Sequence, residues 1–96
     1  MKYYHGTTED CAESIEAEGF RGSELMAFTD GFKTLDRGGV VYVYDNPEAA
    51  QGYGEVVYEI ELLNEKAIPF QADQNGTQEY YIPMSIMQED GIWRRI

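Results

Sequence analysis

Lys2-Tyr3-Tyr4-His5-Gly6-Thr7-Thr8 is the stretch around which the rest of the chain is organised. A lysine and two aromatics favour an extended strand, the glycine ends it, and Thr7 or Thr8 is placed to cap a helix. The only histidine of the chain therefore stands at the carboxyl end of a strand. The glycine beside it has no side chain to keep a ligand from the backbone. Many histidines are structural residues with satisfied hydrogen bonds. Here strand end, glycine, hydroxyl and helix start fall within a few consecutive residues, which makes His5 a candidate binding residue.

Outward from that stretch, Thr7 and Asp10 fit a capping box, and Glu9 and Asp10 suit the positive end of a helix dipole. Cys11, Ala12 and Ile15 share one helical face, expected in the core. Gly19 closes this helix in the left-handed conformation, with Phe20 folding back onto it. Leu25 to Thr29 reads as a strand, Asp30-Gly31 as a turn and Phe32 to Gly39 as a polar loop. Val40-Val41-Tyr42-Val43-Tyr44 is the strongest strand. Asp45-Asn46-Pro47-Glu48-Ala49-Ala50 then opens a brief helix with a cap, a first-turn proline and an early acid.

In Val56 to Leu63 the residues alternate, Val56, Tyr58, Ile60 and Leu62 against Val57, Glu59 and Glu61, as in a half-buried strand. Ala67 to Phe70 is an edge strand because of Pro69, and Asn75-Gly76 is a turn. Glu79-Tyr80-Tyr81-Ile82 is a strand stopped by Pro83. Met84 to Met87 and Ile92 to Ile96 read as two short strands about an Asp90-Gly91 turn. Two short helices and about six strands, with strands dominating the second half, predict one α+β domain over residues 1–96. A phosphate-binding GxGxxG is missing.

Bulk properties narrow the function. Eighteen acidic residues against seven basic ones give a net charge of −11, which repels nucleic-acid backbone and anionic lipid and suits a partner with a basic surface. The single Cys11 forms no intrachain disulfide or cysteine zinc site. With no signal-like or long apolar run, a cytoplasmic chain without membrane contact is expected.

Tyr4-His5-Gly6-Thr7, followed by a helix ending at Glu18-Gly19-Phe20, resembles the opening motif of the ADP-ribosyltransferase fold. More narrowly it resembles the His-Tyr-Glu branch of diphtheria-toxin-like and poly-ADP-ribose-polymerase-like enzymes. Gly38-Gly39-Val40-Val41-Tyr42-Val43-Tyr44, with the Asp45–Ala50 helix start, is similar to the family's central strand and helix. Gln78-Glu79-Tyr80-Tyr81-Ile82-Pro83 is similar to the strand that carries its catalytic acid. The resemblance runs from Tyr3 to Pro83. It implies a compact split β-sheet of about six short strands with two short helices.

The same resemblance implies a mono-ADP-ribosyltransferase that takes NAD as donor, needs no metal, and modifies a macromolecule. Glu79 would be the acid that stabilises an oxocarbenium-like transition state. Tyr42 would stack on nicotinamide, and Gly6 would offer backbone groups to its amide. His5 would hold a ribose hydroxyl, a positioning role. Thr7 and Tyr53 complete the donor site, Tyr53 as a second aromatic wall. The diphosphate needs local cations, for which Arg21, Lys33 and Arg37 flank the motifs. Tyr44 stands where the family commonly has a small or hydroxyl residue, so it narrows or fills the pocket. Position 77 is threonine, so the Glu-x-Glu signature of arginine-modifying relatives is missing. Three other readings stay open: a degenerate acidic binding protein on the same fold that works by contact with a basic partner, an RNA 2′-phosphotransferase relative, for which arginines are short, and a plain α+β domain.

Overall fold

The computed structural model describes residues 1–20, 39–72 and 75–96. The described elements run β1 (Lys2–Thr7), α1 (Glu9–Glu18), β2 (Val40–Val43), α2 (Pro47–Gln51), β3 (Val56–Leu62), β4 (Ile68–Ala72), β5 (Gln78–Pro83), α3 (Met84–Asp90) and β6 (Gly91–Arg95). The six strands form two antiparallel sheets, ordered β1-β3-β6 and β2-β5-β4. One bridge joins them among the described residues: Tyr4 and Tyr44 exchange backbone hydrogen bonds of 2.7 and 2.8 Å. This α+β architecture agrees with the expected class, and β4, with Pro69, is an edge strand as read.

Strand alternation turns the apolar residues of both sheets onto a shared core. Tyr3, Ile60 and Leu62 from one sheet meet Val41, Val43 and Ile82 from the other, closed below by Met84 and Met87. A second cluster packs Ala12 and Ile15 of α1 against Val56 and Tyr58, with Phe20 and Trp93 at its border. Gly19 ends the helix with φ +82° and ψ 179°, a positive-φ extended conformation rather than the left-handed helical one expected, and Phe20 packs back against Ala12 and Ile15 as read. A third cluster, Tyr44, Ala50 and Val57, sits under α2. Val57, placed by alternation with the glutamates, is buried by that helix instead.

Several expectations are corrected. Gly6 does not end the first strand, which continues through Thr7, and Thr8 rather than Thr7 caps α1 by accepting from the Cys11 N–H at 3.3 Å. Thr7 is buried in the strand. Cys11 is exposed while Ala12 and Ile15 are buried, because the helix touches the sheet along a narrower stripe. There are three described helices, not two: Met84 to Asp90 is helical, with Met84 and Met87 meeting the core one turn apart. No Asp90-Gly91 turn exists, since α3 runs directly into β6. The Asp90 carboxylate instead accepts the Asn64 and Glu65 N–H groups and the Asn64 amide at 2.8–3.0 Å, pinning the β3–β4 connection. The strand, turn and loop read between Leu25 and Gly38 lie outside the described residues. No helix among the described residues is long and apolar enough to cross a membrane.

Candidate functional site

The site lies where the two sheets part. Beyond the Tyr4–Tyr44 bridge β1 and β2 no longer pair, and the His5 ring enters the gap, its Nδ1–H donating to the Tyr42 carbonyl at 2.7 Å. A carbonyl only accepts, so the proton is on Nδ1 and the neutral ring keeps its lone pair on Nε2. Burial pushes the His5 pKa below 6.5, and the backbone bond offsets this in part. Phe20 meets the imidazole edge-on at 5.3 Å between ring centroids. The structure thus presents His5 as a fixed, neutral acceptor.

Around this ring a cavity of about 320 Å3 is lined by His5, Gly6, Tyr42, Tyr44, Tyr53 and Glu79, with Phe70 and Gln71 from β4. His5, Tyr42 and Glu79, far apart in the chain, therefore face one space. It falls at the small end of the usual range for ligand pockets. Two further cavities adjoin it. One of about 380 Å3 shares His5, Gly6, Tyr42 and Tyr53 and extends along Thr7, Thr8, Cys11 and Ser14, with no carboxylate among its described lining residues. The other, about 490 Å3, shares Tyr53, Gln71 and Glu79 and adds Glu48, Asn75 and Thr77. Tyr53 borders all three and is 55% exposed.

Local sequence explains how these side chains arrive. Asn46 caps α2 by accepting from the Ala49 N–H at 2.8 Å, and Pro47 begins the helix, as read from the sequence. The helix ends after one turn, so Tyr53 projects from the chain between Gly52 and Gly54. In the antiparallel pairing of β2 and β5, Tyr42 lies opposite Tyr81 and Val43 opposite Tyr80. The next step of that register sets Tyr44 across from Glu79. The Tyr44 and Tyr53 hydroxyls both donate to Oε1 of Glu79 at 3.0 Å, and the Gln71 amide approaches Oε2 at 3.5 Å. Burial first, then the neighbouring Tyr53 and Glu79, drives the Tyr44 pKa far up and keeps that phenol protonated.

Gly6 has a different reason for being glycine than the one inferred from the sequence. A Cβ there would lie 1.8 Å from the Ala50 carbonyl oxygen, so the missing side chain makes room for α2. Its backbone still faces the cleft. Tyr4 turns its N–H and C=O toward β2, and a strand's period of two turns those of Gly6 to the same edge. Thr7 and Tyr42 border the cavities, Tyr42 with its ring 5.8 Å from Phe70. Among the described residues no lysine or arginine lines the three cavities. Lys2 and Arg94 pair with Glu59, and Arg95 pairs with Glu9. Arg21, Lys33 and Arg37, the expected diphosphate partners, lie outside the described residues. No described group of three or more His, Cys, Asp or Glu side chains is placed to hold a metal ion.

Sequence reasoning missed Phe70, Gln71 and the bond from Tyr44 to Glu79. No local signal marks them, because each depends on strand register across the β2-β5-β4 sheet. Comparison with family models, with curated proteins and with solved structures finds no match to this chain.

Proposed function

We propose that this chain is a minimal ADP-ribosyltransferase of the His-Tyr-Glu type, which cleaves NAD and passes ADP-ribose to a macromolecular acceptor. The observation that carries the reading is the convergence of His5, Tyr42 and Glu79 on one cavity. Aromatic rings of Tyr42, Phe70 and Tyr53 border that cavity and suit a flat cationic pyridinium amide. The cleft-facing N–H and C=O of Gly6 match the amide's acceptor and donor. The free Nε2 of His5 accepts a ribose hydroxyl. The anionic diphosphate goes to the cavity without a carboxylate, along Thr7 and Thr8, and away from Glu48.

In the reaction the bond from ribose C1′ to the nicotinamide nitrogen breaks, and its electron pair leaves with neutral nicotinamide. Glu79 stabilises the positive charge that develops on the ribose. The acceptor then bonds to C1′ and releases its proton to Glu79 or solvent. Nicotinamide release from NAD, followed by chromatography, tests the reading. Glu79→Gln should lower the rate by roughly 100-fold or more. No release by the wild-type protein, with no thermal shift at millimolar NAD, would refute it.

A second reading has a specific observation in its favour: the Glu79 oxygen Oε1 is already held by two phenols. On that reading the cleft is closed by its own side chains, and the acidic chain acts by contact with a basic protein. Binding that weakens steeply with salt, with full effect in Glu79→Gln, distinguishes it.

A further inference from the structure

Tyr44, the residue that follows β2, is left without a task by the donor site, and its position is unusual. It is only 5% exposed, its ring is packed with Ala50 and Val57, and its backbone is fixed by both bonds to Tyr4. From this rigid seat its hydroxyl reaches Oε1 of Glu79. We propose that Tyr44 is the positioning residue of the site: its phenol fixes the Glu79 carboxylate through Oε1 and leaves Oε2 for the charge that develops on the donor.

Three rotatable bonds separate the Glu79 carboxylate from its backbone, so without a fixed partner it would sample several rotamers. Glu79 is partly exposed, and charge stabilisation needs a group already in place when charge appears. Two donors reach Oε1, and they are not equivalent. The Tyr53 hydroxyl comes from an exposed ring between two glycines, so water competes with it and the ring can yield to an entering donor molecule. The Tyr44 hydroxyl is shielded and stays protonated, so it can only donate to the carboxylate. Among the described residues the Gln71 amide also approaches Glu79, and its 3.5 Å approach to Oε2 is long enough for a ligand to displace. His5 lines the 320 Å3 cavity with Glu79 and Glu48 the 490 Å3 one, neither with a described bond to the carboxylate. The hydroxyl that fills the pocket by sequence thus aims the acid by structure.

The catalytic half of this proposal rests on the transferase reading, whereas the grip on Glu79 does not, and the tests separate them. In the intact wild-type protein without NAD, three-bond NMR couplings of Glu79 should report a single rotamer. Tyr44→Phe should average them, and Tyr53→Phe should leave them nearly unchanged. Rotamer-averaged couplings in the wild type would overturn the proposal outright, whatever the variants do. As an arm that needs no Tyr44 variant, the Cζ resonance of Tyr44 should move in Glu79→Gln, and an unmoved resonance would also overturn it. With NAD, Tyr44→Phe should lower kcat roughly tenfold, the size of one hydrogen bond to a charged group. KM for NAD should stay within about twofold, since the bond acts on the reacting charge and not on donor binding. A raised KM at unchanged kcat would assign Tyr44 to packing. If NAD is not cleaved at all, the transferase reading falls, and the couplings still decide whether Tyr44 holds Glu79.

Discussion

Gly6→Ala is the substitution that most directly tests how the site is built. The added Cβ would start 1.8 Å from the Ala50 carbonyl oxygen and 2.7 Å from its carbon. Both atoms are backbone, so no side chain can swing aside. Restoring the oxygen to 3.0 Å requires α2 and β1 to separate by about 1.2 Å, the difference between the two distances. Ala50 is fully buried, so that separation opens the cluster of Tyr44, Ala50 and Val57. Overpacking of this kind costs about 2 kcal/mol, which in a domain of this length lowers Tm by roughly 8–16 °C. The same displacement carries Tyr53 with α2 and stretches its 3.0 Å bond to Glu79 out of hydrogen-bond range. Thermal denaturation followed by circular dichroism gives the stability, and nicotinamide release gives the activity. Gly52→Ala is the control, since its Cβ would meet only the Ala49 oxygen at 3.3 Å from an ordinary helical conformation. A Gly6→Ala protein that melts with the wild type yet fails to bind NAD would refute the packing argument. The glycine would then serve ligand approach alone.

Two further predictions concern pH. The His5 pKa is held below 6.5 in the folded chain, so the unfolded chain takes up the proton first as pH falls. Wild-type stability should therefore drop from pH 6.5 down to the folded value, and His5→Gln should lack that segment in urea titrations. The Asp90 pKa is held below 3.8 by the Glu65 and Asn64 N–H groups, and its stabilisation is present above 3.8 and lost as pH falls through the folded value. Asp90→Asn should lower the urea midpoint at neutral pH, with the gap to wild type closing in strong acid. A constant gap across that range would contradict the role given to those hydrogen bonds.

Much of the local structure is legible in the residues themselves. Asn46, Pro47 and Glu48 start α2 where cap and proline chemistry put it, Gly19 stops α1 with a positive φ, and Gly76 turns with φ +81° after Asn75. Each depends on neighbours a few positions away. The two failures near the site have one cause. The choice between Thr7 and Thr8 as cap depends on β1 pairing with β3 as far as Thr7 and Val56, and the purpose of Gly6 on Ala50 of α2, and both contacts span more than forty residues of chain.

Taken alone, the amino-acid order carries the α+β class, the first two helices and most of the described strands, though not α3, and it singles out His5, Tyr42 and Glu79 as the groups to place. Periodicity, capping and residue type are local properties, and they survive without knowledge of the partner strand. The tertiary structure decides that the sheets separate after the Tyr4–Tyr44 bridge, that His5 keeps its proton on Nδ1, and that Tyr44 lies across from Glu79 rather than merely filling space. These follow from register and crossing between distant strands. A shift of one residue there would turn every side chain of β5 to the opposite face.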